Sequence, residues 1–443
     1  MKLRFLLLSS LCLCGIAARS LAAESYTFTT IAGLAGVSGS ADGTNSDARF
    51  LFPADIAVDN NGVLYVADLS NQTIRKIVPM GTNWVVTTIA GMAGVLGYAD
   101  GTNSDARFNR PNGIIADGAG NVFVGDTYNA VVRELTPVET NWVVITIAGN
   151  PGVLGGADGT GTNAEFWSPR GVAVDQNGRL YVVDSGNFTI RGIVPLGTNG
   201  VVSTLAGTAQ NFGFLDGTNE FAQFNTPFDL ALTHAGVLYV TDFANDAIRQ
   251  VAPQGTNWVT TTIAGFSGSP GTNDGSGAVA MFNSPNGIAV DNATNLYIAD
   301  QSNHTIRKMV PNGTNWMVST IAGTPGQLGT NDGTGSLAKF NKPWGIAVHR
   351  DGTLFVVDSR NHTIRKGIPP GGPIPTLQIS RVGAAVVFSW PVGATNYTLE
   401  TASSVRPGGT WTTVTNAVVI SGSSRYVTNV PSASAAFFRL HGY

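Results

Sequence analysis

The chain has 443 residues, of which only 12% are charged, and its 28 acidic side chains outnumber its 25 basic ones. This share of charged residues is about half the usual one. Nucleic-acid-binding proteins present clusters of lysine and arginine, and the sequence has no such cluster. A nucleic-acid partner is therefore excluded, and the length is sufficient for a fold with a large core.

Residues 1–23 have the pattern of a secretory signal peptide, with basic residues first, then an apolar run, then small residues before a cleavage point. The apolar run, 5–18, is too short to span a bilayer, so no transmembrane segment is expected after cleavage. Cys12 and Cys14 both lie here, so the mature protein is expected to be stable without disulfides. These features predict a secreted or extracellular protein, or one of the cell envelope.

From Tyr26 onward the chain repeats every 58 residues. Two markers keep this interval over six copies, and a fixed period of this length indicates a repeat architecture. The first marker is a proline: Pro53, Pro111, Pro169, Pro227, Pro285 and Pro343. The second is the last glycine of a Thr-Ile/Leu-Ala-Gly tetrapeptide: Gly33, Gly91, Gly149, Gly207, Gly265 and Gly323.

Each copy is predicted to form four short antiparallel strands. In the first copy, apolar residues alternate over 55–59, 63–68, 73–78 and 84–91, with turn residues such as Asn61-Gly62 between them. Four strands in each of six copies predict an all-β fold, a six-bladed β-propeller.

The motifs of the fifth and sixth copies resemble the NHL-repeat family. They are Pro-x-Gly-Ile-Ala-Val-Asp, Leu-Tyr-Ile-Ala-Asp and Asn-His-Thr-Ile-Arg-Lys after Pro285, with Pro-Trp-Gly-Ile-Ala-Val and Asn-His-Thr-Ile-Arg-Lys after Pro343. The resemblance extends over about three quarters of the chain and implies a propeller domain at 24–368. It does not imply one function, because members of the family include adhesion proteins, sensors, RNA binders and a lyase.

The segment from Tyr26 to Gly33 precedes the first complete copy and has the phase of a fourth strand. The sixth copy conversely stops after three strands, before the linker 369–375. We therefore expect the N-terminal strand to complete the last blade and to close the ring, which removes exposed sheet edges.

An Asp, an Asn three residues later and an Arg four residues after that recur in every copy. Asp and Asn can cap a turn between two strands, and Arg can bind the carboxylate, so a structural role is expected. The set is Asp68, Asn71, Arg75; Asp126, Asn129, Arg133; Asp184, Asn187, Arg191; Asp242, Asn245, Arg249; Asp300, Asn303, Arg307; and Asp358, Asn361, Arg365.

The long connection before each repeat proline contains an Asp-Gly pair, Asp42-Gly43 in the first copy, and a phenylalanine, Phe50. The pair is expected to form an Asx turn, and the phenylalanine to anchor the loop between blades. Calcium bound by Asp42 and Asp47 is an alternative, although the spacing is not that of an EF-hand loop. No other cofactor is expected.

A unique site in a ring of equal parts requires positions at which the copies differ, and the two positions after each repeat proline differ. Together with the turn that follows the second strand, they are expected to surround the mouth of the central channel, with His304, His362, Phe243 and Arg360 in the turns and Arg110 beside them. The candidate ligand-binding residues are Asp55, Asn112, Tyr128, Trp167, Arg170, Phe228, Asp229, Asn286 and Trp344.

This mixture of aromatic, amide and charged groups favours an extracellular glycan or peptide as the ligand, and an interaction protein as the function. A metal-dependent sugar-lactonase-like hydrolase is the alternative, because Pro-Asn-Gly at Pro111 and at Pro285 resembles the metal-holding tripeptide of those propellers. A His-ligated lyase site is not expected, since His234 and His349 belong to the opposite face from His304 and His362.

A second unit is predicted at 376–443, after the Pro/Gly-rich linker 369–375. Its short apolar segments separated by turn residues indicate a small β-sandwich with Trp390 in the core. It resembles fibronectin-type and immunoglobulin-like modules of secreted bacterial proteins. This resemblance implies a spacer or a surface-attachment module, with independent glycan binding as the alternative.

Overall fold

The computed structural model describes residues 24–373, 375, 377–382, 385–391, 397–402, 411–421, 424–429 and 437–442. The predicted signal peptide lies outside these residues. Within the described ranges the fold is all-β, and none of them contains a helix that is long and apolar enough to cross a membrane.

Six five-stranded antiparallel sheets, numbered 1 to 6 along the chain, account for residues 27–368. The innermost strands are Asp55–Val58, Pro111–Ala116, Pro169–Val174, Pro227–Leu232, Pro285–Val290 and Pro343–Val348. The second strands are Leu64–Asp68, Val122–Asp126, Leu180–Asp184, Leu238–Asp242, Leu296–Asp300 and Leu354–Asp358. The third strands are Thr73–Met80, Val131–Val138, Thr189–Leu196, Ala247–Gln254, Thr305–Asn312 and Thr363–Ile368.

The fourth strands of sheets 1 to 5 are Asn83–Gly91, Asn141–Ala148, Asn199–Ala206, Asn257–Gly265 and Asn315–Ala322. Sheet 6 takes its fourth strand from the start of the chain: Thr27–Ala32 pairs with Thr363–Ile368, with Thr27 opposite Ile368. The side chain of Tyr26, just before it, is buried and its hydroxyl lies 3.2 Å from that of Tyr297 in sheet 5.

The sequence predicted four strands in each copy, and the structure adds a fifth at the outer edge. These strands are Gly43–Thr44, Gly101–Thr102, Gly159–Thr160, Gly217–Thr218, Gly275–Ser276 and Gly333–Thr334. Each has only two residues and pairs with the fourth strand of its sheet, Gly43 with Val86 in sheet 1. The expected Asx turn at Asp42-Gly43 is therefore wrong, because Gly43 is part of a strand.

Three-residue 3₁₀ turns lie in the connections. Five follow an outermost strand: Asn45–Asp47, Asn103–Asp105, Gly161–Asn163, Asn219–Phe221 and Gly335–Leu337. Four join a second strand to a third: Thr127–Asn129, Phe243–Asn245, Gln301–Asn303 and Ser359–Asn361.

The hydrophobic core is divided into six clusters, each between two successive sheets. The second strand of every sheet is buried along its whole length, as in Leu64–Asp68, because a neighbouring sheet covers each of its faces. The sixth cluster joins Ile364 of sheet 6 to Leu64 of sheet 1. Phe50 is fully buried in that cluster, where the loop anchor was expected. This arrangement of repeated five-stranded sheets is consistent with a β-propeller.

The described residues after 377 form two smaller sheets. One contains Gln378–Val382, Ala385–Pro391, Ser424–Asn429 and Val419–Ser421, and the other contains Thr412–Thr413, Tyr397–Ala402 and Phe437–Gly442. Trp390 is 2% exposed and belongs to a cluster that includes residues of both sheets, Phe388 and Leu399 among them.

Candidate binding site at the channel mouth

The recurrent Asp, Asn and Arg form a buried network in every sheet. In sheet 1, Asp68 Oδ2 accepts hydrogen bonds from Asn71 Nδ2 at 2.7 Å and from Arg75 Nη1 at 2.8 Å. Its other oxygen accepts the Leu51 N–H at 2.9 Å. Burial raises the pKa of Asp68 to about 6 although Arg75 and the N–H donors act in the opposite direction, so the carboxylate is ionised at neutral pH.

Arg75 is the centre of this network. Its guanidinium lies 5.0 Å from the Phe50 ring centroid, and its Nη2 donates to Asp42 Oδ1 at 2.8 Å. Both Asp42 oxygens also accept hydrogen bonds from Thr88, one from its N–H and one from its hydroxyl. The calcium alternative for Asp42 does not fit this geometry, because the carboxylate is engaged and the adjacent guanidinium would repel a cation.

A cavity of about 170 Å³ runs between the innermost strands and is lined by residues of all six sheets. We call it the channel. Its walls are apolar apart from Asp55 and Asp229, which come from sheets 1 and 4. Asp55 Oδ2 accepts the Ile114 N–H at 3.0 Å, and Asp229 Oδ2 accepts the Ile288 N–H at 3.0 Å, so each carboxylate binds the backbone of the next sheet.

Burial raises the pKa of both channel carboxyls. The pKa of Asp55 is well above its usual range because of burial and because of the charge of Asp229, and burial raises the pKa of Asp229 to about 7. The other four sheets carry glycine at this position. A Cβ on Gly171 would lie 2.4 Å from Asp229 Oδ1, and one on Gly345 would lie 2.3 Å from Asp55 Oδ1. Each of the two aspartates therefore has room only because the preceding sheet carries glycine at the same position.

A second cavity, of about 350 Å³, lies at the expected mouth of the channel, and we call it the mouth cavity. The residue after the repeat proline contributes to its wall from five sheets in succession: Asn112, Arg170, Phe228, Asn286 and Trp344. In sheet 1 this residue is the small Ala54, and Leu69 of the following turn contributes instead. Tyr128, Phe243 and Arg110, which the sequence also predicted at the mouth, line the cavity as well.

Phe228 is the centre of an aromatic cluster in this cavity. The Arg170 guanidinium lies 4.0 Å from its ring centroid, and the ring centroids of Phe243 and Trp344 lie 5.3 and 6.1 Å away. Burial lowers the pKa of Arg170 to about 10, so the side chain carries its charge at neutral pH. Arg110, at the cavity edge, stacks on the Tyr128 ring at 4.8 Å.

Several residues predicted at the mouth lie elsewhere. Asp55 and Asp229 line the channel, because the direction of side chains alternates along a strand. Trp167 lies outside the mouth cavity, next to Gly186, whose added Cβ would meet the indole at 2.5 Å. Thr127 and Gln301 also line the cavity, and neither was predicted there. Both are turn residues whose counterparts differ between copies.

His304 and His362 are also absent from the mouth cavity wall, because their rings bind the neighbouring sheet. His304 Nδ1 accepts the Lys342 N–H at 3.0 Å, and His362 Nδ1 accepts the Phe52 N–H at 3.2 Å. Gln72 and Asp246 accept the equivalent bonds, at 2.6 Å and 2.7 Å. We call these four contacts the latches. The two remaining positions are occupied by Ala130 and Phe188, which have no polar side-chain atom.

In the part of the chain that the structure describes, no group of three or more His, Cys, Asp or Glu side chains has a spacing that could hold a metal ion. Asn112 and Asn286, which carry the lactonase resemblance, are both at least nine-tenths buried in the mouth cavity wall.

The NHL repeat family matches four segments of the chain, 50–77, 166–193, 282–309 and 340–366. The chain is 31% identical over 330 residues to the protein SUPPRESSOR OF QUENCHING 1, chloroplastic, of Arabidopsis thaliana, a match that covers 71% of this chain and 30% of that protein. The chain spans less than half the length of this relative and of the NHL repeat-containing protein 2 of Gallus gallus, at 30% and 46%.

Among solved structures, the fold is similar to that of a structural genomics protein of unknown function from Bacteroides thetaiotaomicron VPI-5482. The TM-score is 0.60 at 22% identity, over 78% of this chain and 76% of that one. It is also similar to an auxiliary nutrient binding protein from Bacteroides ovatus ATCC 8483, with a TM-score of 0.58 at 18% identity over 78% and 76% of the two chains. These matches support an NHL-repeat propeller.

Proposed function

We propose that this protein is a secreted or cell-surface interaction protein, and that its mouth cavity binds an extracellular glycan or peptide. One observation carries the proposal. Five side chains of four types, at the same position in five sheets, converge on one cavity of about 350 Å³. A cavity of this size with aromatic walls and a few polar groups is typical of small-ligand sites.

The proposed architecture is a closed six-bladed ring, in which sheets 1 to 6 are the blades and the N-terminal strand completes the last one. The pairing of Thr27–Ala32 with Thr363–Ile368 supports closure. The residues after 376 are proposed to form a separate β-sandwich that acts as a spacer or as a surface attachment. The signal-like pattern of residues 1–23 supports the proposed location outside the cytoplasm.

The test is a screen of the purified protein against glycan and peptide arrays, followed by titration of the ligands that bind. Nutrient glycans are a reasonable first set, given the name of the Bacteroides ovatus neighbour. Trp344→Ala should weaken binding by about 30-fold or more, because truncation of an aromatic residue at such a site often costs about 2 kcal/mol or more. The same change at Trp316, which lies in the fourth strand of sheet 5 and outside the mouth cavity wall, is a control that should leave binding unaltered once corrected for stability.

Phe228→Ala is a less selective probe of binding than Trp344→Ala. Phe228 is 7% exposed and contacts three large side chains, so its removal should also destabilise the fold. Trp344 is more exposed and is the better probe. If a ligand is found and Trp344→Ala binds it normally, while changes around His234 and His349 abolish binding, the site is on the opposite face.

The lactonase-like alternative is supported only by Asn112 and Asn286 on the cavity wall. Measurement of metals in the purified protein by mass spectrometry separates the two functions. A stoichiometric divalent ion that is lost in an Asn112→Ala/Asn286→Ala double variant would favour the hydrolase.

A further inference from the structure

Three buried side-chain donors around the mouth cavity have no hydrogen-bond partner among the described residues: Arg170 Nε, Asn286 Nδ2 and Trp344 Nε1. They come from three sheets and belong to residues that line the same cavity. An unpaired buried donor loses its hydrogen bond to water without compensation. The Nε of Arg75 and of its five counterparts is unpaired in the same way, so the donors specific to this cavity are Asn286 Nδ2 and Trp344 Nε1, and acceptors on a ligand would complete them.

Arg170 differs from the buried arginines of the repeat. The guanidinium of Arg75 is held by Asp68 and Asp42, and its five counterparts are held in the same way. No described carboxylate forms an ion pair with Arg170, and its guanidinium lies over the Phe228 ring, 4.0 Å from the centroid. Removing a charge from water without a counter-ion is costly. A negative charge on a ligand would supply the missing partner.

The charge of the cavity wall agrees with this conclusion. Two arginines, Arg110 and Arg170, line the mouth cavity, and its lining includes no aspartate or glutamate, although acidic residues outnumber basic ones in the whole chain. Arg110 is exposed, whereas Arg170 is half-buried and its Nε is fully enclosed, so the wall supplies one partly desolvated positive charge. One charge matches a carboxylate, whereas a phosphate dianion would bring a second negative charge that the buried part of the wall does not neutralise.

The remaining lining indicates what carries the carboxylate. The Phe228, Phe243 and Trp344 rings form an apolar aromatic part of the cavity wall, which suits the C–H face of a sugar ring. The two neutral unpaired atoms are donors, which suit the ring and hydroxyl oxygens of a sugar. A peptide would add N–H donors to a cavity whose unpaired buried atoms are all donors.

We propose that the mouth cavity recognises an acidic sugar, a uronate, whose carboxylate pairs with Arg170 and whose ring contacts Phe228 and Trp344. This inference rests on the proposed function and specifies its ligand. Asn286 Nδ2 and Trp344 Nε1 donate hydrogen bonds to the sugar oxygens. The stacking on Phe228 holds the guanidinium plane in place, and the carboxylate pairs with its Nη atoms, because Nε is itself enclosed by the protein.

The experiment is a calorimetric titration of the full chain with trigalacturonate and with its methyl ester, which keeps the ring and removes the charge. Trigalacturonate should bind at least about 10-fold more tightly than the ester, since a hydrogen bond to a charged group contributes about 1.5–3 kcal/mol. Arg170→Gln should abolish this preference. The matched control is Arg360→Gln, which removes the same charge from an exposed residue outside the cavity wall and should retain the preference.

Three further probes identify the source of the anion: glucuronate oligosaccharides, inorganic phosphate, and a peptide with a free or an amidated C-terminus. Binding of the acid and the ester with equal affinity, or normal binding of the acid by Arg170→Gln, would overturn the inference and leave the proposed function intact. Preference for phosphate or for the free peptide terminus would overturn the uronate assignment. No binding of any array member would overturn the inference and the proposed function together.

Discussion

The buried arginine of each repeat makes the largest number of polar contacts of any side chain in its sheet network. Arg75 donates to Asp68, to Asp42 and to the carbonyl oxygens of Arg49 and Ala41. These hydrogen bonds connect the second strand to the long connection. The same contacts recur in all six sheets and fix the position of each connection, which is consistent with a repeat length that does not vary.

Arg75→Ala should lower the free energy of unfolding by about 3–5 kcal/mol, because it leaves Asp68 as a buried carboxylate without a counter-charge. The measurement is denaturant unfolding of the purified protein, with Arg360→Ala, at an exposed residue, as the control. Unchanged stability of Arg75→Ala would mean that the recurrent network does not have the structural role proposed for it.

The histidine latches make stability depend on pH. Burial lowers the pKa of His304, with the charges of Lys342 and Arg360 adding to the effect, and burial also lowers the pKa of His362. The folded state therefore binds protons less readily than the unfolded chain, whose histidines titrate near about pH 6.5. The contribution of the latches is present above that pH and is lost as the pH falls through 6.5 towards the lower folded pKa.

A double variant, His304→Gln/His362→Gln, should reduce the loss of melting temperature between about pH 7 and pH 5. Glutamine keeps an acceptor and does not titrate, and the chain already uses Gln72 as a latch. The buried aspartates titrate in the same range but are common to both proteins, so the difference between the two pH profiles isolates the histidines. Identical profiles would show that the latches do not protonate in this range.

The element with the greatest effect on the architecture is the N-terminal strand Thr27–Ala32. It pairs on one side with Thr363–Ile368 and on the other with Gly333–Thr334. Phe28 is fully buried and its ring packs edge-on against Phe340 at 5.1 Å. Without this strand, sheet 6 would lose its fourth strand and expose an edge.

A protein that begins at Leu34 should melt at a clearly lower temperature than one that begins at Ser25. The two proteins differ only in residues 25–33, which include the strand with its buried Phe28 and the buried Tyr26 before it. Neither protein contains the residues before Ser25, so those residues do not affect the comparison. A difference of about a degree or less would contradict closure of the ring by this strand. A rise in aggregation of the shorter protein is also expected from its unpaired edge.

The positions that recur could be predicted from the sequence, and the contacts between copies could not. The 58-residue period places Arg75 and its counterparts in equivalent environments, so one interpretation serves six sites. The outermost strands were missed because two residues, such as Gly43–Thr44, are too few to show an alternating pattern. The residue after the repeat proline was predicted at the mouth, whereas the bond from the Ile114 N–H to Asp55 depends on a neighbouring sheet.

At the scale of the whole molecule, the six contacts between neighbouring sheets differ in the side chains that form them. Four of them have a latch, and five have an aromatic pair between the second strand of one sheet and the fourth strand of the next, such as Tyr65 with Trp142 at 5.8 Å. The contact between sheets 2 and 3 has neither, because Ala130 replaces the latch and Gly200 replaces the tryptophan. Thr127 Oγ1 donates a hydrogen bond to the Pro169 carbonyl oxygen across this contact, at 2.8 Å.

Ala130→Asn should strengthen that contact and raise the free energy of unfolding by about 0.5–1.5 kcal/mol. Ala130 has a φ of 58°, a conformation that asparagine tolerates better than alanine. The new side chain has the length of Asp246, which accepts such a bond in sheet 4. The reciprocal control is Gln72→Ala, which should lower stability by a similar amount. If Ala130→Asn does not raise the free energy of unfolding while Gln72→Ala lowers it, a side chain at residue 130 cannot form the latch hydrogen bond between sheets 2 and 3.

The pairing of the first strand with the last repeat also determines the order of assembly. Thr27 is opposite Ile368, and such a contact between distant parts of the chain closes a loop that includes all six repeats. Each of sheets 1 to 5 is built from neighbouring segments of the chain. Sheet 6 can be completed only when both the first strand and the sixth repeat are available. Until then the first strand has no partner, so a chain that emerges from its N-terminus must keep this strand from pairing elsewhere while the rest is made.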